Sequence, residues 1–150
     1  MCTKLSGLLC LAILTVPTVQ AGVILEKVQT PGFVLPAYAI TKTCAINGAG
    51  RMVQTYQVAD VSSAKTIQLK LGGPLDELID LAAKGTLTQS SIPVDVPTTG
   101  YYAYQPTKGK PRKVVLFESN GGSGVQTDNS AEEAMILRNF IDLNCGDPIQ

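Results

Sequence analysis

The chain has 150 residues, a length suited to one domain, and its 45% hydrophobic and 16% charged residues build a core and exclude a highly charged disordered chain. Twelve Lys and Arg balance twelve Asp and Glu, so no global charge points to nucleic acid or to an anionic membrane surface. Histidine is absent, which excludes His-dependent triads, His-containing zinc sites and axial-His haem ligation.

The first 21 residues read as a targeting segment. Residues 1–4 carry one positive charge at Lys4, residues 5–16 are a nearly continuous apolar run, and Pro17 breaks it. Val19, Gln20 and Ala21 then place compact residues where a signal peptidase reads, so cleavage is expected after Ala21. The run is shorter than the roughly 20 apolar residues a membrane helix needs. Leu9 before Cys10 is too bulky for a lipoprotein signal. No second long apolar run follows, so no membrane span is expected after cleavage. The predicted organisation is a signal peptide over 1–21 and a single α+β domain over 22–150, secreted or periplasmic.

Cleavage changes the cysteine arithmetic. Cys2 and Cys10 leave with the signal, and Cys44 and Cys145 remain. Two cysteines in an exported domain are expected to form one disulfide, and their wide spacing excludes a CxxC redox pair or a local zinc knuckle.

Residues 22–29 read as a strand, stopped by the turn chemistry of Thr30, Pro31 and Gly32. Residues 37–46 alternate, with Tyr38, Ile40, Cys44 and Ile46 on one face and Lys42 as the exception. Asn47-Gly48-Ala49-Gly50 is a turn signal, and residues 51–58 are the return strand of a hairpin. Residues 65–71 alternate Ile67, Leu69 and Leu71 with polar neighbours and predict another strand.

Gly72, Gly73 and Pro74 open a helix in which Asp76 and Glu77 sit at the positive end of the dipole. Leu75, Leu78, Ile79 and Ala82 follow at helical spacing, and Lys84 with Gly85 ends it. Pro93 and Pro97 deny residues 86–99 a central place in a sheet, so an extended loop or an edge is expected there. Residues 101–105 and 113–119 are strands joined by a basic turn, and residues 120–124 form a second glycine-rich turn before a short strand at 125–127.

Residues 130–144 are the clearest helix. Ser130 and Glu133 have capping-box spacing, Ile136, Leu137, Phe140 and Ile141 form the apolar stripe, and Cys145 with Gly146 ends it. The order strands, helix, strands, helix predicts an α+β fold: one mostly antiparallel sheet with two helices packed on one face.

No recognisable catalytic, metal or cofactor motif is present. Residues 119–124 lack the spacing of a dinucleotide loop and the Lys-Ser/Thr of a P-loop. Without histidine a serine nucleophile needs Lys or a carboxylate as base, and Ser119 or Ser123 with Lys113 is the available combination. Asp76 and Asp80 share one helix side but have no EF-hand spacing. Lys108, Lys110, Arg112 and Lys113 form the one basic cluster, near Tyr101, Tyr102 and Tyr104, of which Tyr102 and Tyr104 share a face.

The element order resembles emfourin-type domains, small bacterial α+β proteins linked to inhibition of thermolysin-like proteases. Pro31-Gly32-Phe33 after the first strand, Leu75 to Leu81 in the middle helix, Pro93 to Pro97 before Tyr101, and Leu137, Phe140 and Ile141 in the last helix carry the likeness. The extra hairpin with Cys44 and the glycine-rich loop depart from that pattern.

These readings predict a non-catalytic exported binding domain without a cofactor; its ligand is left open, a protein partner such as a protease is one candidate, and nucleic acid is not expected. The candidate contact residues are Ile92, Pro93, Val94, Asp95 and Pro97 in one loop and Lys108, Lys110 and Arg112 in the other. Two alternatives stand beside it. One is a protease inhibitor that presents residues 90–97, whose prolines limit the entropy lost when an extended segment enters a cleft. The other is a histidine-free, carboxylate-dependent hydrolase.

Overall fold

Apolar residues alternating along strands, and one helical stripe facing them, organise the molecule. A computed structural model describes residues 22–73 and 75–146. The expected signal segment 1–21 and the helix-opening Pro74 lie outside the described residues.

Strands β1 (Val23–Thr30), β2 (Ile40–Asn47), β3 (Arg51–Val58) and β4 (Val61–Gln68) run as successive antiparallel hairpins. After helix α1 (Leu75–Ala82) come β5 (Leu87–Ser91), β6 (Thr98–Gln105), β7 (Arg112–Asn120), β8 (Val125–Asn129) and helix α2 (Glu132–Asn144). The eight strands form one sheet in the order β4-β3-β2-β1-β6-β7-β8-β5, antiparallel throughout. Two meanders therefore meet where β1 pairs with β6, and the chain crosses from one sheet edge to the other through α1. The fold is α+β and rich in strand.

Leu25, Ile46, Met52, Ala103, Val114 and Leu116 project from the sheet into one cluster with Ile79 and Ala82 of α1 and Ala134, Leu137 and Ile141 of α2. Burying each of the larger side chains stabilises the fold by roughly 1.5–3 kcal/mol. Polar groups lock α2 in place. The Lys27 ammonium and the Tyr101 hydroxyl both donate to the Asp142 carboxylate at 2.7 Å. Arg138 lies 3.9 Å from the Phe117 ring centre, and that ring meets Tyr101 edge-on. The Cys44–Cys145 disulfide spans Cα atoms 6.0 Å apart and ties the end of α2 to the middle of β2, with both cysteines buried.

Four local expectations are corrected. Tyr38 does not join β2: residues Pro36–Tyr38 form a 3-10 turn closed by the Tyr38 N–H on the Leu35 carbonyl at 2.8 Å, and Tyr38 is exposed. The strand expected at 65–71 is β4, which starts earlier, at Val61, and ends at Gln68. The capping box does not form, because Ser130 turns away to pair with Thr86: its Oγ accepts the Thr86 N–H at 2.9 Å. Asn129 serves the helix entrance instead, accepting the Ala131 N–H at 3.0 Å. Ile136 is 42% exposed, so the buried stripe of α2 is Ala134, Leu137 and Ile141.

Candidate functional site

Both ends of the sheet are made of loops, and their chemistry differs. One end collects residues 31–39, the β3–β4 turn, residues 92–97 and residues 121–124, because Thr30 pairs with Thr98, Val58 with Val61 and Ser91 with Val125. The other collects the Asn47–Gly50 turn and residues 106–111, beside the pairs Val23–Asn47 and Gln105–Arg112. A strand of this length holds the two ends about 25 Å apart.

The first end is apolar and exposed. Phe33, Leu35 and Tyr38 are 92%, 69% and 72% exposed, with Val34 beside them. Ile40, Val58 and Val61 lie opposite one another across β2, β3 and β4, and all three also face solvent. Val94 adds an exposed side chain from residues 92–97. Isolated exposed apolar residues are ordinary, but here Phe33, Val34 and Leu35 are adjacent in sequence and Ile40, Val58 and Val61 are neighbours across the strands, so the exposed apolar residues are grouped.

Backbone hydrogen bonds hold residues 92–97 against residues 121–124, and Gly32 packs closely on Asp95. The Ile92 N–H donates to the Gly124 carbonyl at 2.9 Å and the Asp95 N–H to the Gly121 carbonyl at 3.2 Å. Asp95 itself has φ +73°, a left-handed conformation that an Asp tolerates better than most residues. Gly32 and Gly121 are glycines because a Cβ would strike the Asp95 carbonyl at the first and the Val96 carbonyl at the second. A shallow recess of about 180 Å³ lies between Phe33, Gly32, Asp95, Val96 and Gly121.

The expected contact residues thus fall at opposite ends. Ile92, Pro93, Val94, Asp95 and Pro97 belong to the apolar end, and Lys108, Lys110 and Arg112 to the other. Ser90 and Ser91 lie in edge strand β5, paired with Gln126 and Val125, so the extended segment ends where the 92–97 turn begins. Lys108, Lys110 and Arg112 are exposed and form no ion pair with another described residue. Beside them, Val23, Glu26, Tyr104, Lys110 and Pro111 line a recess of about 300 Å³.

Between the ends, the sheet face turned away from the helices carries a tyrosine–carboxylate network. The Tyr104 hydroxyl donates to Glu26 and the Tyr102 hydroxyl to Glu118 at 3.0 Å. The Lys113 ammonium sits 3.4 Å from the Tyr102 ring centre. Burial and then the neighbouring carboxylate push both hydroxyls above the usual tyrosine range. Tyr101, on the helix side, is pushed up by burial and by Asp142. Burial alone would raise the Asp142 carboxyl, but the Lys27 and Tyr101 hydrogen bonds outweigh it and hold it below its ordinary value.

Ser119 and Ser123 are not brought to Lys113. Ser119 pairs with Thr99 near the apolar end and Lys113 with Tyr104 near the basic end, while the Ser123 hydroxyl donates to the Asn120 carbonyl at 3.3 Å. Asp80 accepts the Gln105 side-chain amide at 2.8 Å. Among the described residues no group of three or more acidic or Cys residues is placed to hold a metal ion.

Phe33, Val34, Leu35 and Tyr38 were not anticipated as contact residues. The signal was present as an apolar run between Pro31 and Pro36 with no strand or helix period. No family model, no curated protein and no solved structure matches the chain.

Proposed function

We propose that this protein is an exported, non-catalytic binding domain whose contact surface is the apolar end of the sheet. The observation that carries the reading is the exposure of Phe33, Val34, Leu35 and Tyr38 beside the Ile40–Val58–Val61 row. The Ile92–Gly124 and Asp95–Gly121 backbone hydrogen bonds fasten the loop that carries Val94, which limits the entropy lost there on binding, and exposed aromatic and aliphatic side chains such as Phe33 and Leu35 make effective anchors. Export is supported by the signal-like layout of residues 1–21 and by the buried disulfide, which suits an oxidising compartment. No described helix is long and apolar enough to cross a membrane.

Affinity capture from the envelope and medium of the exporting cell tests this reading. The wild type should retain a saturable protein partner that the Phe33→Ser/Leu35→Ser variant loses. Met135→Ser, which removes an exposed apolar side chain on α2, should leave capture intact. Equal capture by all three proteins contradicts the assignment, and an intact N-terminus at Met1 in the exported product contradicts export by signal cleavage.

The narrower reading is protease inhibition, which the resemblance to emfourin-type domains also suggests. Val94 projects from a turn held at Ile92 and Asp95, a rigid segment that a protease cleft can accept. Inhibition of a metallo- or serine protease that Val94→Gly relieves supports it. A panel of such enzymes left uninhibited at micromolar protein removes it.

A further inference from the structure

We propose that copies of this chain associate head to tail, the apolar end of one seated against the basic end of the next. The inference rests on the reading of the apolar end as a contact surface and names a second copy as its occupant.

Three observations point the same way. Phe33 projects almost fully into solvent at one end. At the other end the recess lined by Val23, Glu26, Tyr104, Lys110 and Pro111 has about 300 Å³, room for one aromatic side chain. The charges are complementary. Within residues 31–39, 59–60, 92–97 and 121–124 the charged side chains are Asp60 and Asp95, both exposed, while Lys108, Lys110 and Arg112 stand at the other end and outnumber the carboxylates of Glu26, in the recess, and Asp80, which accepts from Gln105.

Charge also selects the arrangement. Two apolar ends facing each other bring Asp60 and Asp95 against their own copies, and two basic ends bring Lys108, Lys110 and Arg112 together. Like charges across an interface are unfavourable, whereas head-to-tail contact pairs acid with base. Because the knob and the recess are different surfaces of the molecule, Phe33 beyond one end of the sheet and the recess beside residues 106–111 near the other, each added copy leaves one surface of each kind unused. Such a contact grows into a ring or an open filament.

Sedimentation equilibrium of the exported, oxidised protein tests the proposal. The wild type should show a mass above the monomer that rises with protein concentration and falls with added salt. Phe33→Ser, which removes the knob, and Lys110→Glu, which reverses the charge at the recess, should each be monomeric while keeping the wild-type circular dichroism spectrum and a cooperative melt whose midpoint does not depend on protein concentration. An equal mixture of the two should form a one-to-one dimer and stop there, since only one knob and one recess remain intact. A wild type that stays monomeric to about 1 mM, association that both variants retain, or a mixture that stays monomeric overturns the proposal. A monomeric wild type that still captures an envelope partner through Phe33 leaves the contact-surface reading standing while removing this one.

Discussion

Replacing the Cys44–Cys145 pair with alanines should destabilise the protein by about 3–4 kcal/mol. The bridge closes a separation of 101 residues, and chain entropy assigns a loop of that length up to about 4.7 kcal/mol, with measured losses in small domains of about 2–5 kcal/mol. The lower part of that span would apply if α2 were fully held by other means. It has other ties, in Leu137, Ile141 and the Asp142 hydrogen bonds, so the native state should persist. Unfolding entropy of about 2.1 cal/mol/K per residue over about 125 residues converts the loss to a fall of roughly 10–15 °C in Tm. Alanines avoid burying new hydroxyls next to Met52, whose sulfur lies 3.9 Å from the Cys145 sulfur. Thermal and urea unfolding followed by circular dichroism measure the effect. A change of less than about 3 °C, or two alkylatable thiols in the native exported protein, would refute the reasoning that the bridge restrains the chain between β2 and α2.

The remaining predictions concern titration and packing. Tyr101, Tyr102 and Tyr104 have folded-state pKa values raised above the unfolded value of 10.0. Their contribution is therefore complete below that pH and is lost above it, so tyrosinate absorbance from these three should appear only together with alkaline unfolding. Independent titration without unfolding contradicts the network. Asp142 has a folded-state value below 3.8, so its contribution is present above that pH and disappears as pH falls through the depressed value. Asp142→Asn should be less stable than wild type at neutral pH and indistinguishable from it in strong acid, with a modest gap because the carboxylate is close to half exposed. On α2, Leu137→Ala should cost about 2–5 kcal/mol and Ile136→Ala, at an exposed position, within about 0.5 kcal/mol; chemical denaturation of both reads the difference.

Where local chemistry decides, the sequence was legible. The Asn47 side chain accepts N–H groups of Ala49 and Arg51 at 3.1 and 2.8 Å, and β3 starts at Arg51 as the turn signal implied. The cysteine pair and the opposite faces of Tyr101 and Tyr102 followed from export logic and strand alternation. Tertiary competition hid the rest. Ser130 had the spacing of a cap, but the backbone of Thr86 claimed its hydroxyl. The first half of β4 is exposed on both faces, so residues 61–64 lack the alternation that betrays a strand. Pairing of β1 with β6 joins segments some seventy residues apart, and no local pattern encodes it. At the proposed contact surface, the prolines of residues 92–97 singled that segment out as a candidate, whereas Phe33 and Leu35 were not singled out because exposed apolar loops run against the burial of apolar residues.

The central claim is that partners meet the apolar end, and site-specific photo-crosslinking in the exporting cell tests it most directly. A benzophenone side chain placed at position 33 should yield a discrete crosslinked protein adduct, whereas the same group at position 135, on the exposed side of α2, should yield none. No adduct at 33, or equal adducts at both positions, would contradict the account.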